Sequence, residues 1–197
     1  MVGEEHMFKL QEKLETEAEI AGEIYQVNLS FDNIMKLLDL IKSPYMNDNE
    51  KVYIGNYLLL GTELELEINQ QLTVFETLIT TFIHTEEEQQ TQVDLEGNIM
   101  PTTERQQTYD LTHDATYIYT SFIQAYNINL LEEQGKLDWR EFKILLRDLP
   151  DDTKFKQIID IRTRPYPKGK GMSEERKKLK ELKRTFALPG TIVDDWN

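Results

Sequence analysis

The sequence predicts a mainly α-helical protein: a helical bundle-like fold with a small N-terminal β-hairpin and a flexible, acidic central linker. Three observations predict it. Apolar residues recur at helical spacing through most of the chain, as Trp139, Phe142, Leu145 and Leu146 do at i, i+3, i+6 and i+7. Short alternation is confined to the stretch from Leu14 to Leu29, around the turn signal Ala21-Gly22. Residues 85–108 are polar and acidic, with Glu86-Glu87-Glu88, Gly97 and Pro101 but few apolar anchors, so they read as a linker or a long excursion. The organisation is then a polar lead-in over 1–13, an N-terminal module over 14–84 (hairpin plus three helices), the linker, a C-terminal helical module over 109–189, and a tail over 190–197.

In chain order, Ile20, Ile24, Val27 and Leu29 are the apolar positions of the hairpin. Two strands alone are marginal in water, so the hairpin must lean on helices or on another copy. Ser30 then caps a first helix whose apolar face is Phe31, Ile34, Leu37, Leu38 and Ile41, and which Ser43-Pro44 ends. Asn47 with Glu50 resembles a capping box opening a second helix, through Tyr53, Ile54, Tyr57 and Leu58 to Gly61. A third helix covers about 64–83, with Ile68, Leu72, Phe75, Ile79 and Phe82 spaced for burial.

After the linker, Ala115, Ile118, Tyr119, Phe122, Ile123 and Tyr126 form a broad, aromatic-rich face. The Trp139 helix stops at Leu149-Pro150-Asp151-Asp152, where proline suits the first turn of the next helix and the aspartates complement its positive end. Phe155, Ile158 and Ile159 are that helix's apolar stripe. Arg164-Pro165-Tyr166-Pro167-Lys168-Gly169 begins an exposed basic loop. Ser173 caps a last helix with a narrow stripe of Leu179, Leu182 and Phe186, stopped by Leu188-Pro189-Gly190.

The 197 residues carry a formal net charge of -14, which opposes nonspecific binding to nucleic acid or to an anionic membrane. The charge is uneven: from Arg162 to Arg184 there are ten basic and three acidic residues, a net +7 that leaves -21 elsewhere. Such a chain can pair with itself or with a partner. There is no cysteine, hence no disulfide and no thiolate chemistry. The acidic N-terminus lacks an apolar run and no stretch is long enough to span a bilayer, so the expectation is a soluble, intracellular protein.

Catalytic motifs are missing, and the expectation is that the protein is not an enzyme and takes neither cofactor nor metal. His6, His84 and His113 stand apart, without a cluster at metal-ligand spacing. His113 beside Asp114 reads as a polar pair at a helix start. Ser121 and Ser173 have no nucleophile elbow, and Lys168-Gly169-Lys170-Gly171 lacks phosphate-loop spacing. Asn28-Leu29-Ser30 reads as strand end plus helix cap rather than a glycosylation site. The basic last helix reads first as a solvated surface helix, and second as a docking helix for an acidic partner or nucleic acid. The missing aromatic interleaving and the acidic chain disfavour nucleic acid.

Arg162, seven residues after Phe155, falls on an apolar helix face. It is either a snorkelling side chain or, the favoured reading, a half-buried guanidinium in a structural ion pair with a carboxylate such as Asp114, Asp138 or Asp160.

Residues 109–130, with Thr112-His113-Asp114-Ala115 at their start, resemble the middle of a phage tail-assembly protein family. Its members are encoded near the tape-measure gene in long-tailed phages and prophages of Gram-positive bacteria. Residues 137–155, then Ile158-Ile159-Asp160-Ile161-Arg162, then Lys183-Arg184-Thr185-Phe186-Ala187-Leu188-Pro189 continue the resemblance in order. The hairpin around Gly22 and the Phe31 helix fit more loosely. The chain departs from the family at Trp139-Arg140, where two aromatics are more usual.

The resemblance implies a tail assembly chaperone in the host cell cytoplasm during virion assembly, one that coats and solubilises the tape-measure protein. Tail-tube protein and a companion assembly chaperone are further implied partners. Tyr119, Phe122, Tyr126, Trp139, Phe142 and Phe155 are the candidate partner-binding residues, lining a groove for amphipathic helices. The alternative is a structural virion component, kept in the tail and forming a homo-oligomer through the hairpin.

Overall fold

A computed structural model describes residues 10–83 and 108–191. The lead-in over 1–9 with His6, residues 84–107 with His84 and all but Thr108 of the expected linker, and residues 192–197 of the tail lie outside the described residues. Among the described residues the fold is mainly α: seven α-helices, one π-helical turn and one two-stranded sheet. They divide into two units. The first holds residues 10–83 together with Gly135–Trp139, and the second holds 108–134 and 140–191.

The hairpin forms where alternation predicts it. Strands β1 (Glu17–Ile20) and β2 (Glu23–Gln26) pair antiparallel, with Ile20 opposite Glu23. Both loop residues have positive φ, 53° at Ala21 and 86° at Gly22. That is the pattern of a type I′ turn, whose twist matches the flanking strands. Glycine suits it, whereas alanine is strained there because its Cβ crowds the carbonyl. Ala21→Asn should therefore stabilise the protein by about 0.5–1 kcal/mol. A higher urea midpoint at unchanged slope is the expected readout, and an unchanged midpoint would mean the turn stores no strain.

Helix α1 (Phe31–Lys42) begins differently from the serine cap expected. Ser30 occupies the cap position, but its Oγ donates to Asn28 Oδ1 at 2.8 Å and caps nothing. A distant backbone segment does that work instead. The Phe31 N–H donates to Leu137 O at 2.9 Å and the Trp139 N–H donates to Leu29 O at 2.7 Å, so Ser30 and Asp138 face each other in an antiparallel bridge. The Gly135 N–H adds a 2.8 Å bond to Asp32 Oδ1. These bonds are why Gly135–Trp139 belongs with the first unit. Helix α1 buries Phe31, Ile34, Leu37 and Leu40, while Ile41 lies on its exposed margin.

Helix α2 (Asp48–Leu60) has the capping box read from Asn47 and Glu50: Glu50 N donates to Asn47 Oδ1 and Asn47 N to Glu50 Oε2. Gly61 ends it at φ 69°. Its buried face is not the aromatic one. Val52, Gly55, Asn56, Leu59 and Leu60 are buried, and Tyr53 and Tyr57 are 42% and 50% exposed. Helix–helix contact here uses a small and a polar residue. Gly55 lies against Phe75 and Leu37, and Asn56 Nδ2 donates to Gln71 O at 2.9 Å. Asn33, on α1, likewise ties elements by donating to Asn28 O and Leu58 O.

Helix α3 (Ile68–Leu78) starts four residues later than periodicity suggests, because Glu67 and Gln70 form a second capping box. The Gln71 side chain meanwhile holds the Leu64 and Leu66 carbonyls of the preceding segment. A π-helical turn, Ile79–Ile83, closes the helix. Gln71, Leu78, Phe82 and Ile83 are buried. Ile68 and Leu72, expected inside, are 38% and 41% exposed.

The second unit is built from α4 (Ala115–Tyr126), most of α5 (Trp139–Arg147), α6 (Lys154–Thr163) and α7 (Ser173–Thr185). Helix α5 stops before Pro150 as expected, but α6 starts only at Lys154. Pro150, Asp151 and Asp152 therefore precede its first turn, and no acid lies in it. Thr153 closes the corner with its N–H and Oγ1 both on Pro150 O. Because that hydroxyl is committed, the first turn of α6 is served from elsewhere: the Phe155 N–H donates to the buried Ser121 Oγ at 3.1 Å. Ser173 is the first helical residue of α7 rather than its cap, which is Met172.

Candidate partner-binding site

The Arg162 guanidinium is a buried tie. Its Nη1 and Nη2 donate to the two oxygens of Asp114 at 2.6 and 2.7 Å, a bidentate fork. The Asp114 side chain is fully buried, and that of Arg162 is 9% exposed. Nη1 also donates to Thr108 O at 3.0 Å, and Nε donates to Phe186 O. Four of the five N–H donors are thereby engaged within the protein, which makes this a fastener and not a ligand site.

Asp114 sits at the cap position of α4 and accepts the Asp110 N–H as well. The Arg162 carbonyl accepts Lys183 Nζ at 3.0 Å, and that ammonium stands over the Tyr166 ring. Burial pulls the Lys183 pKa down. Of the other carboxylates considered for Arg162, Asp160 pairs with Arg164 one turn away, and Asp138 belongs to the bridge with Ser30.

The six aromatic candidates separate by burial. Phe122, Phe142 and Phe155 are 0%, 1% and 1% exposed, and Trp139 is 6% exposed. Phe122 stacks on Phe142 with ring centres 5.4 Å apart, and Tyr109 meets Phe155 edge-on. These four are core, and in this conformation a partner cannot reach them. Their stripe is one that a core helix and a docking helix share, so periodicity alone could not separate the two roles. Tyr119 and Tyr126 are half-buried. Tyr126 is held in place: its hydroxyl donates to Leu145 O at 3.0 Å, its ring meets Phe122 edge-on, and burial aided by the Asp148 charge pushes its pKa up.

Between these tyrosines lies Ile123, 41% exposed, a member of the broad, aromatic-rich face that the sequence predicts. Tyr119, Ile123 and Tyr126 fall at i, i+4 and i+7, one outward stripe on α4. The helix contains no charged residue over its 12 positions. The signal that could have separated inside from outside was Ser121: small, polar and on the Phe122 side, it is buried because α6 needs its hydroxyl. Among the described residues, no group of three His, Asp or Glu side chains could hold a metal ion, and no helix is long and apolar enough to cross a membrane.

A protein-family model described as Bacteriophage Gp15 protein matches residues 10–188. Neither a curated protein nor a solved structure matches the chain.

Proposed function

The chain belongs to the bacteriophage Gp15 protein family, and from that premise we propose that it is a tail assembly chaperone which binds and solubilises the tape-measure protein. Family membership suggests a role in phage structure or morphogenesis. The finer reading is supported by the charge-free helix α4 with its outward Tyr119–Ile123–Tyr126 stripe. A surface helix without charge and with an apolar stripe is suited to lie against an amphipathic helix of a partner. A tape-measure chain would present such helices along its length and aggregate unless they were covered.

On this reading the protein acts by binding and not by catalysis, in the host cytoplasm, before the tail is complete. Tail-tube protein and a companion chaperone are the further partners it would gather. Co-expression with the neighbouring tape-measure protein tests the proposal. The wild-type chain should keep the tape measure soluble and co-purify with it. Ile123→Glu should abolish both at unchanged melting temperature, since the position is already exposed. A tape measure that stays insoluble and unbound beside the wild-type chain would overturn the reading.

The alternative, a structural component retained in the particle, is favoured by one observation. Ile24 is 71% exposed on a sheet of only two strands, where another strand could add. Mass spectrometry of purified particles separates the two, because stoichiometric retention is expected of a structural part and not of a departing chaperone.

A further inference from the structure

Helix α3 and the π-helical turn after it form an exposed element of unusual composition. Residues 68–83 carry one charged side chain, Glu76, in sixteen positions. Average usage, with about a quarter of residues charged, would put about four there. The element sits in a region of the opposite character, since residues 10–83 hold thirteen acidic and four basic side chains.

Its outward surface is more apolar than the residue types suggest. Ile68 and Leu72 are 38% and 41% exposed, and Phe75 and Ile79 are half-buried beside them. At 3.6 residues per turn these four fall within about 60° of arc. About 110–170° further round the helix, on a separate face, the Thr73, Thr77 and Thr80 hydroxyls all turn back onto carbonyls of their own helix, of Asn69, Thr73 and Glu76, at 3.1, 2.7 and 2.8 Å. With their hydroxyls so engaged, these threonines offer methyl groups outward.

We propose that this face is the interface of a homodimer, in which α3 packs antiparallel against α3 of a second copy about a two-fold axis. Two features point to a second copy. The stripe at 68, 72, 75 and 79 has the spacing i, i+4, i+7, i+11, which reads the same in both directions. An antiparallel copy therefore sets Ile68 against Ile79 and Leu72 against Phe75, twice over, as an isologous contact requires. Charge supplies the second feature. Two units this acidic repel each other wherever their glutamates meet, and the α3 face, with Glu76 alone, lets them approach without opposed charges.

The test uses the full-length chain and its lack of native cysteine. Sedimentation velocity should show a concentration-dependent dimer of the 23.2 kDa chain. Leu72→Glu should weaken it by about a hundredfold, through two carboxylates forced into the contact, at unchanged circular dichroism. Chains bearing Ile68→Cys, mixed with chains bearing Ile79→Cys, should cross-link on oxidation, while neither variant cross-links alone. A monomer at every concentration overturns the proposal. So does a dimer indifferent to Leu72→Glu, and so do Ile68→Cys chains that cross-link among themselves, which would mean parallel packing. The outcome is independent of whether α4 holds a tape-measure helix.

Discussion

Arg162→Met is expected to destabilise the second unit by about 3–5 kcal/mol, because it leaves the Asp114 carboxylate buried without its counter-ion. In a chain of this size that corresponds to a fall in melting temperature of about 6–20 °C. Asp114 has no exposure through which water could replace the guanidinium, and the Thr108 and Phe186 carbonyls lose their donor at the same time. Arg162→Lys should recover little: a lysine ammonium is a point charge that cannot span both carboxylate oxygens and the two carbonyls. The informative variant is the double change Arg162→Met with Asp114→Leu. It removes the stranded charge, so it should be more stable than Arg162→Met alone, with a coupling of the size found for buried pairs. A single variant that melts within about 0.5 kcal/mol of wild type, the range of ordinary surface substitutions, would show that the fork contributes nothing. Hydrogen exchange would localise the loss, since Arg162 joins the start of α4 to the end of α7 and both should open together.

That pair is legible in outline in the sequence, for a physical reason. An arginine on an apolar stripe has few outcomes other than snorkelling or finding a carboxylate, and Asp114 was one of three within the residues considered. The mainly α class, the Ala21-Gly22 turn, the Asn47–Glu50 box and the Gly61 stop were legible for the same reason: each is a local rule, enforced by neighbours in sequence. What escaped reading is non-local. The return of Gly135–Trp139 to cap α1 is a pairing across about a hundred residues, and no spacing rule carries it. On α2 the buried face was displaced because hydrophobicity marks Tyr53 and Tyr57, whereas close approach to α3 selects Gly55 and Asn56. On α3 the apolar stripe was real but was assigned to the core, while the helix actually buries Gln71 to hold the Leu64 and Leu66 carbonyls. The candidate groove differs in the opposite sense: Phe122, Trp139, Phe142 and Phe155, expected to line it for a partner helix, are buried within the protein itself. An apolar stripe shows that a face will be covered without showing by what.

Gly55 is the position where a single methyl group should separate those forces most cleanly. A Cβ there would lie 2.4 Å from Phe75 Cε2 and 3.2 Å from Leu37 Cδ1, so crowding comes from two sides. Gly55→Ala gains about 1 kcal/mol of helix propensity in the middle of α2. Overpacking of about 1–3 kcal/mol works against it and should win, because the Phe75 ring cannot retreat without leaving the α2–α3 contact. Gly55→Val adds two γ-carbons to the same gap and should be destabilised by about 1–3 kcal/mol even after the propensity gain. The decisive measurement is Gly55→Ala in a Phe75→Leu background. With the ring gone the severe clash disappears and only Leu37 Cδ1, at 3.2 Å, must give slightly, so propensity should prevail and the same substitution should change sign and become stabilising. If Gly55→Ala is stabilising with Phe75 intact, α2 and α3 do not meet as closely as described, and the reason for the displaced face of α2 falls with it. If the sign reverses, glycine at 55 is explained by the approach of its neighbour and not by any backbone requirement, since its φ lies in the ordinary helical range.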